Sequence, residues 1–152
     1  DLYQSQDGGR VDASALVREV VDKTVDMAMA EGSTIAVTTD IGDLRLFPDQ
    51  AVPLSMLVAE AATNALKYVG SSADEPGAID VRLHQRADKW HLRFANTIGK
   101  AAPEDSTGLG STLMNAFAVQ LGGDLQTRQD GNRYILELSF EVLDFEPEAR
   151  NY

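Results

Sequence analysis

Cysteine is absent from this 152-residue chain, which excludes a disulfide framework, a thiolate metal site and a thiol nucleophile. Histidine occurs only twice, too sparsely for a His-rich metal centre. Basic residues are scarce as well: 13 Lys and Arg stand against 24 Asp and Glu, a formal net charge of −11. Binding a polyanion needs clustered cations, so this balance argues against a nucleic-acid face or an anionic-membrane face. No hydrophobic run is long enough to span a bilayer. The best candidate, residues 51–66, is interrupted by Pro53, Glu60 and Asn64. The first residues are polar and carry no signal-peptide pattern. The chain starts at Asp1, as expected of a piece of a longer protein.

What is present is enough apolar material for a core. Hydrophobic residues make up 43% of the chain, too many for a disordered polymer, and the length fits one domain. After a polar lead-in ending at Gly8-Gly9, Asp12 can cap a helix in which Leu16, Val17, Val20, Val21, Thr24, Val25 and Ala28 recur at three and four residues. Gly32 ends it. Two short β-prone runs, residues 35–39 and 44–47, flank a turn at Gly42-Asp43 and read as a hairpin. Asp49 as cap and Pro53 in the first turn predict a second helix running to Tyr68. Residues 79–83 and 90–96 alternate as strands, with Ile79, Val81, Leu83, Leu92 and Phe94 inward. A polar segment, residues 97–106, precedes a third helix from Leu109 to Gly122-Gly123. Two strands around a turn at residues 129–133 close the domain, and a tail carrying Phe145 and Tyr152 follows. Adjacent strand pairs separated by helices predict a two-layer α/β sandwich, a mixed sheet with three main helices on one face. They do not predict the strict alternation of a Rossmann fold.

The second helix carries the chemistry. At one hundred degrees per residue, Leu54, Leu57, Val58, Ala61 and Ala65 form an apolar stripe, and Glu60, Asn64 and Lys67 form a second stripe beside it. A carboxylate, an amide oxygen and an ammonium one turn apart suit a nucleoside triphosphate with its Mg²⁺. Three further features follow: Phe94-Ala-Asn-Thr-Ile-Gly99, a strand ending in a polar residue with Gly three positions on; Ser106-Thr-Gly-Leu-Gly-Ser111, a Gly pair opening a helix, where backbone N–H groups can meet a phosphate; and Asp130-Gly-Asn-Arg-Tyr134, a tight turn into the last strand.

In this order and spacing the motifs resemble the GHKL ATP-binding superfamily, the Bergerat fold, and within it the catalytic, ATP-binding domain of bacterial sensor histidine kinases. Glu60-x-x-x-Asn64-x-x-Lys67-Tyr68 is similar to the N box and Thr107-Gly-Leu-Gly110 to the G2 box. The resemblance covers residues 11–140 as the ATP-binding domain, with residues 1–10 as the end of an upstream dimerisation region and 141–152 as a C-terminal tail. Asp1-Leu-Tyr3 resembles the end of the dimerisation domain in the group related to HWE kinases.

The resemblance implies ATP and Mg²⁺ as ligands. Asn64 would coordinate Mg²⁺, Lys67 and Tyr68 would lie at the nucleotide, and Glu60 would polarise groups around the γ-phosphate. Gly99, Thr107, Gly108, Leu109 and Gly110 would belong to a lid of about residues 97–110. The implied activity is transfer of the γ-phosphoryl group to a His on a separate helical domain, so this piece alone would not autophosphorylate. A cytoplasmic location, a homodimeric parent and a downstream response regulator go with it. The sequence departs from the family at the G1 box, where Asn96 replaces the adenine-reading Asp and Ile98 the middle Gly. An Asn oxygen still accepts the adenine amino hydrogen, and Asn132 sits near the same network. The rival readings are an anti-sigma-factor serine kinase of the same superfamily and a scaffold that has lost ATP. His84 and His91, beside Arg82 and Arg93 on polar strand faces, read as sheet residues rather than chemistry.

Overall fold

The computed structural model describes residues 8–32, 34–70, 76–99 and 109–144. The elements run β1 (Val11–Asp12), α1 (Ala13–Ala30), β2 (Ala36–Ile41), β3 (Arg45–Leu46), α2 (Pro48–Tyr68), β4 (Ala78–Arg86), β5 (Lys89–Thr97), α3 (Leu109–Leu121), β6 (Asp124–Asp130) and β7 (Arg133–Phe140). A five-stranded mixed sheet has the order β2-β4-β5-β7-β6, and β1 and β3 form a separate two-stranded ribbon. The β2–β4 pair is parallel because α2 returns the chain between them. The β4–β5 and β6–β7 pairs are antiparallel because two-residue turns join them.

The alternation seen in the sequence sets the two faces. Ile79, Val81, Leu83, Leu92, Phe94, Leu136, Leu138 and Phe140 are buried with Val17 and Val21 of α1, Leu54, Leu57, Val58, Ala61 and Ala65 of α2, and Met114, Ala118 and Leu121 of α3. The α1 and α2 residues among these belong to the stripes read from the sequence. α2 lies between α1 and α3, so it is the central helix of its layer. The other sheet face carries an ion-pair chain: Arg82 and Arg93 meet Asp80, and Arg93 and Arg128 meet Glu137. Partly exposed pairs of this kind contribute about 0–1 kcal/mol each.

The expected hairpin over residues 35–47 does not form. β2 pairs with β4, and Gly42 continues that pairing by donating to the Leu83 carbonyl at 2.7 Å. The backbone of Leu44 is taken instead by the start of α1. Ala13 N–H donates to the Leu44 carbonyl at 2.9 Å, and Leu44 N–H donates to the buried Ser14 hydroxyl at 2.9 Å. Asp12 caps α1 as expected, accepting from Ala15 N–H at 3.1 Å. The Ser14 hydroxyl also donates to Asp12 at 2.7 Å and holds its carboxyl below the usual range.

α2 begins earlier than expected. Phe47 is its N-cap without a side-chain bond, Pro48 opens it, Asp49 lies in the first turn, and Pro53 lies inside. Pro48 at the first position sacrifices no helical bond, whereas Pro53 removes the N–H that would reach the Asp49 carbonyl. The last turn is also tighter than residues 129–133, since β6 and β7 pair up to Asp130 and Arg133. Gly131 at φ +63° takes the first central position, which leaves only Gly131 and Asn132 in the loop. The segment after β7 packs through residue 144; its remainder, with Phe145 and Tyr152, lies outside the described residues. Gln50 is buried and holds it, donating to the Glu141 carbonyl at 2.9 Å and accepting from Leu143 N–H at 3.0 Å.

The β4–β5 turn contains Ala87 at φ +58°, the sole non-glycine with positive φ among the described residues. The left-handed region disfavours a Cβ by about 1–2 kcal/mol. Ala87→Gly is therefore expected to stabilise the domain by about 1 kcal/mol, after the greater unfolded-state entropy of glycine is allowed for. A rise in the urea midpoint at unchanged m-value is the signature.

Candidate nucleotide site

Of the residues singled out in the sequence, Glu60, Asn64, Lys67 and Tyr68 lie in the C-terminal half of α2, and Asn96 and Gly99 lie at and just beyond the C-terminal end of β5; the Val69–Ile98 bridge joins these two ends in a junction. Glu60 and Asn64 are half-buried on α2, one turn apart, and Lys67 is exposed in its last turn. Their stripe borders the fully buried one, so each side chain keeps its polar end at the edge of the core. The Lys67 ammonium lies 5.3 Å from the Tyr68 ring centroid, a cation–π contact that draws the lysine along the helix end. Among the described residues no group of three or more His, Asp or Glu could hold a metal ion.

Asn96 has the inward parity of Leu92 and Phe94 and is 3% exposed. The sequence placed Phe94 inward by alternation, and the same alternation carries a polar side chain into the layer at the end of the strand. Its Nδ2 donates to the Thr97 carbonyl at 2.9 Å. The side-chain oxygen is the acceptor end of the same amide.

Thr97 is a strand residue and not the start of a lid, a correction to the expected lid of residues 97–110. It is 2% exposed, and it pairs with Arg133 of β7. The next residue, Ile98, forms an isolated antiparallel bridge with Val69 just beyond α2. Ile98 N–H donates to the Asn132 carbonyl at 2.9 Å. Asn132 thus reaches this junction through its backbone, while the residue itself is exposed in the β6–β7 turn. Leu109 and Gly110 open α3. Thr107 and Gly108 lie outside the described residues, as do Asp1, Leu2 and Tyr3.

Gly70, left by the sequence reading in the loop after the helix, and Thr97, read there as the start of a lid, hold the junction together. Gly70 N–H donates to the Thr97 carbonyl at 2.9 Å. The Thr97 hydroxyl donates to the Gly70 carbonyl at 2.6 Å and accepts from Ala78 N–H at 3.1 Å. A Cβ on Gly70 would lie 2.0 Å from the Gly99 nitrogen and 2.5 Å from its Cα. Only glycine lets these two backbones approach so closely. The available signal was the pair of lone glycines, one just after the helix and one just after the strand; nothing in one sequence says that they touch.

The two histidines lie away from this junction. His84 and His91 are cross-strand partners on the outer sheet face, with ring centroids 6.2 Å apart. Burial, reinforced by the Arg86 charge, pushes His91 below the ordinary imidazole value.

Neither a protein-family model nor a curated protein sequence matches the chain. Solved structures do. The histidine kinase domain of the Erythrobacter litoralis EL346 blue-light activated histidine kinase matches at TM-score 0.73 and 19% identity, over 87% of this chain and 62% of that one. The catalytic domain of histidine kinase ThkA matches at TM-score 0.69 and 20% identity, over 88% of this chain and 94% of that one. Full-length ShkA, solved in complex with AMPPNP, matches at TM-score 0.67 and 18% identity, over 88% of this chain and 31% of that one. The chain therefore spans under two thirds of the blue-light kinase domain and nearly all of the ThkA catalytic domain.

Two substitutions test the junction. Gly70→Ala is expected to destabilise the domain by about 3 kcal/mol, the upper end of ordinary overpacking, because backbone rather than a flexible side chain must move. Asn96→Asp sets a carboxylate against the Thr97 carbonyl in a buried place and is expected to cost about 1–3 kcal/mol at neutral pH. Urea denaturation measures both, and for Asn96→Asp the loss shrinks as the carboxyl is protonated at low pH. The architecture, a mixed five-stranded sheet with α1–α3 in one layer, is the fold of histidine kinase catalytic domains.

Proposed function

We propose that the chain is the ATP- and Mg²⁺-binding catalytic domain of a two-component sensor histidine kinase. The observation that supports this best is the clamped junction between α2 and β5. It joins the end of the helix that carries Glu60, Asn64 and Lys67 to the end of the strand that carries Asn96, with Gly99 just beyond that strand. The AMPPNP complex of a structural neighbour supports nucleotide as the ligand class.

In this reading Asn96 accepts the adenine amino hydrogen through its side-chain oxygen. Asn64 offers a hard oxygen to Mg²⁺ and Lys67 a cation to the phosphates. When bound, the ion neutralises phosphate charge and polarises the transferring phosphoryl group. Glu60 orients groups around the γ-phosphate, and the start of α3 offers backbone N–H donors to the anion. Phosphoryl transfer asks mostly for positioning and charge neutralisation, which suits a site built on a carboxylate, an amide and an ammonium. The acceptor in the whole protein is a His on a separate helical domain, and a response regulator receives the group afterwards. With a net charge of −11, the domain repels a nucleotide at long range, so binding should depend on the metal.

Calorimetric titration with AMPPNP, with Mg²⁺ and with EDTA, tests this. Saturable binding is expected with Mg²⁺ and lost with EDTA. Asn64→Ala is expected to abolish the metal-dependent binding at an unchanged urea midpoint. Asn96→Ala is expected to weaken ATP about tenfold, the loss of one good buried bond, and to narrow the preference for ATP over GTP. Failure of the wild-type domain to bind at millimolar nucleotide favours a scaffold that has lost ATP. Equal binding in EDTA removes Asn64 from its role.

A further inference from the structure

We propose that Thr97 is a positioning residue for nucleotide recognition, acting through Asn96; this rests on the reading above. Its carbonyl accepts two bonds, one from Gly70 N–H and one from the Asn96 side chain, each at 2.9 Å. Its hydroxyl ties the Gly70 carbonyl at 2.6 Å to the start of β4 through Ala78 N–H at 3.1 Å. One buried residue therefore joins the exit of α2, the beginning of β4 and the side chain at the end of β5.

The consequence is a geometric linkage. The rotamer of Asn96 is fixed by the position of the Thr97 carbonyl, and that carbonyl is fixed by Gly70. A displacement of the α2 exit is passed to the side-chain oxygen that would meet the adenine. The hydroxyl is what the linkage requires, because no apolar side chain of the same shape satisfies both the Gly70 carbonyl and the Ala78 N–H. Valine copies the shape of threonine and removes both bonds. Serine keeps the hydroxyl and removes only a methyl group.

Three variants separate positioning from plain stability. Thr97→Val is expected to weaken ATP about tenfold, the equivalent of one lost buried bond, and to narrow the ATP-over-GTP preference. Its Mg²⁺ dependence should be unchanged, because Asn64 is not touched. Thr97→Ser is expected to restore both quantities nearly to wild type. In an Asn96→Ala background, Thr97→Val should have little further effect on affinity, the non-additivity of two residues acting through one contact. Full additivity, or a Thr97→Val domain that binds ATP as well as wild type, overturns the proposal while leaving the nucleotide reading intact. Absence of binding by the wild type overturns both. Where Thr97→Val fails to fold, the Thr97→Ser domain is compared by NMR: the Asn96 side-chain amide resonances should stay at their wild-type shifts. Movement of those resonances as large as in free Asn shows that the hydroxyl does not hold Asn96.

Discussion

The contact between the backbones of Gly70 and Gly99 is the constraint on which the arrangement of the site depends. The apolar stripe of α2 binds the helix to the sheet strongly, but hydrophobic attraction is non-directional and fixes neither the rotation nor the axial position of a helix to a fraction of an ångström. Hydrogen bonds and hard contacts do. At the end of α2 the Val69–Ile98 bridge, the reciprocal bonds between Gly70 and Thr97, and the absence of a Cβ on Gly70 define one position. Everything the helix presents along its second stripe is placed from that point.

A division of labour within α2 follows. Leu54, Leu57, Val58, Ala61 and Ala65 are fully buried and supply stabilisation. Glu60 and Asn64, on the adjoining stripe, are half-buried, so their polar ends sit where water is partly excluded without the cost of full desolvation. Interactions with a charged ligand are stronger there than on an open surface, since the local dielectric is lower. The opposite face of the sheet makes the contrast. Its ion pairs are exposed enough to be screened, and they serve the sheet rather than a ligand.

The helices and the long strands were legible in the sequence because periodicity reports a face that a single element buries. The 3.6-residue stripe of α1 and the alternation in β4 and β5 needed no knowledge of the partner. The pairing of β2 was not legible. Its residues carry strand propensity, but the choice between β3 and β4 is made by Ser14 and Ala13, more than 20 residues away, which occupy the backbone of Leu44. Pro53 misled in a similar way: proline marks a first turn on average, and here Pro48 holds that place while tertiary packing tolerates the second proline. At the site, the helix edge from Glu60 to Lys67 was legible by spacing. Thr97 and Gly70 were not, because their role lies in a contact between segments far apart in sequence.

The Asn at position 96, which the sequence presents as a departure from the family pattern, takes on a different meaning beside Thr97. A carboxylate has no hydrogen to give the Thr97 carbonyl, whereas the Asn amide gives one and keeps an oxygen free. The substitution therefore trades a charged acceptor for a neutral one whose orientation is fixed from within the protein. A neutral bond to a ligand is weaker than a charge-assisted one, but an acceptor already held in place loses less entropy when the ligand arrives. In the proposed reading, an amide anchored by the Thr97 carbonyl is an acceptor oriented in advance for the adenine, not a sign that the ligand has been lost.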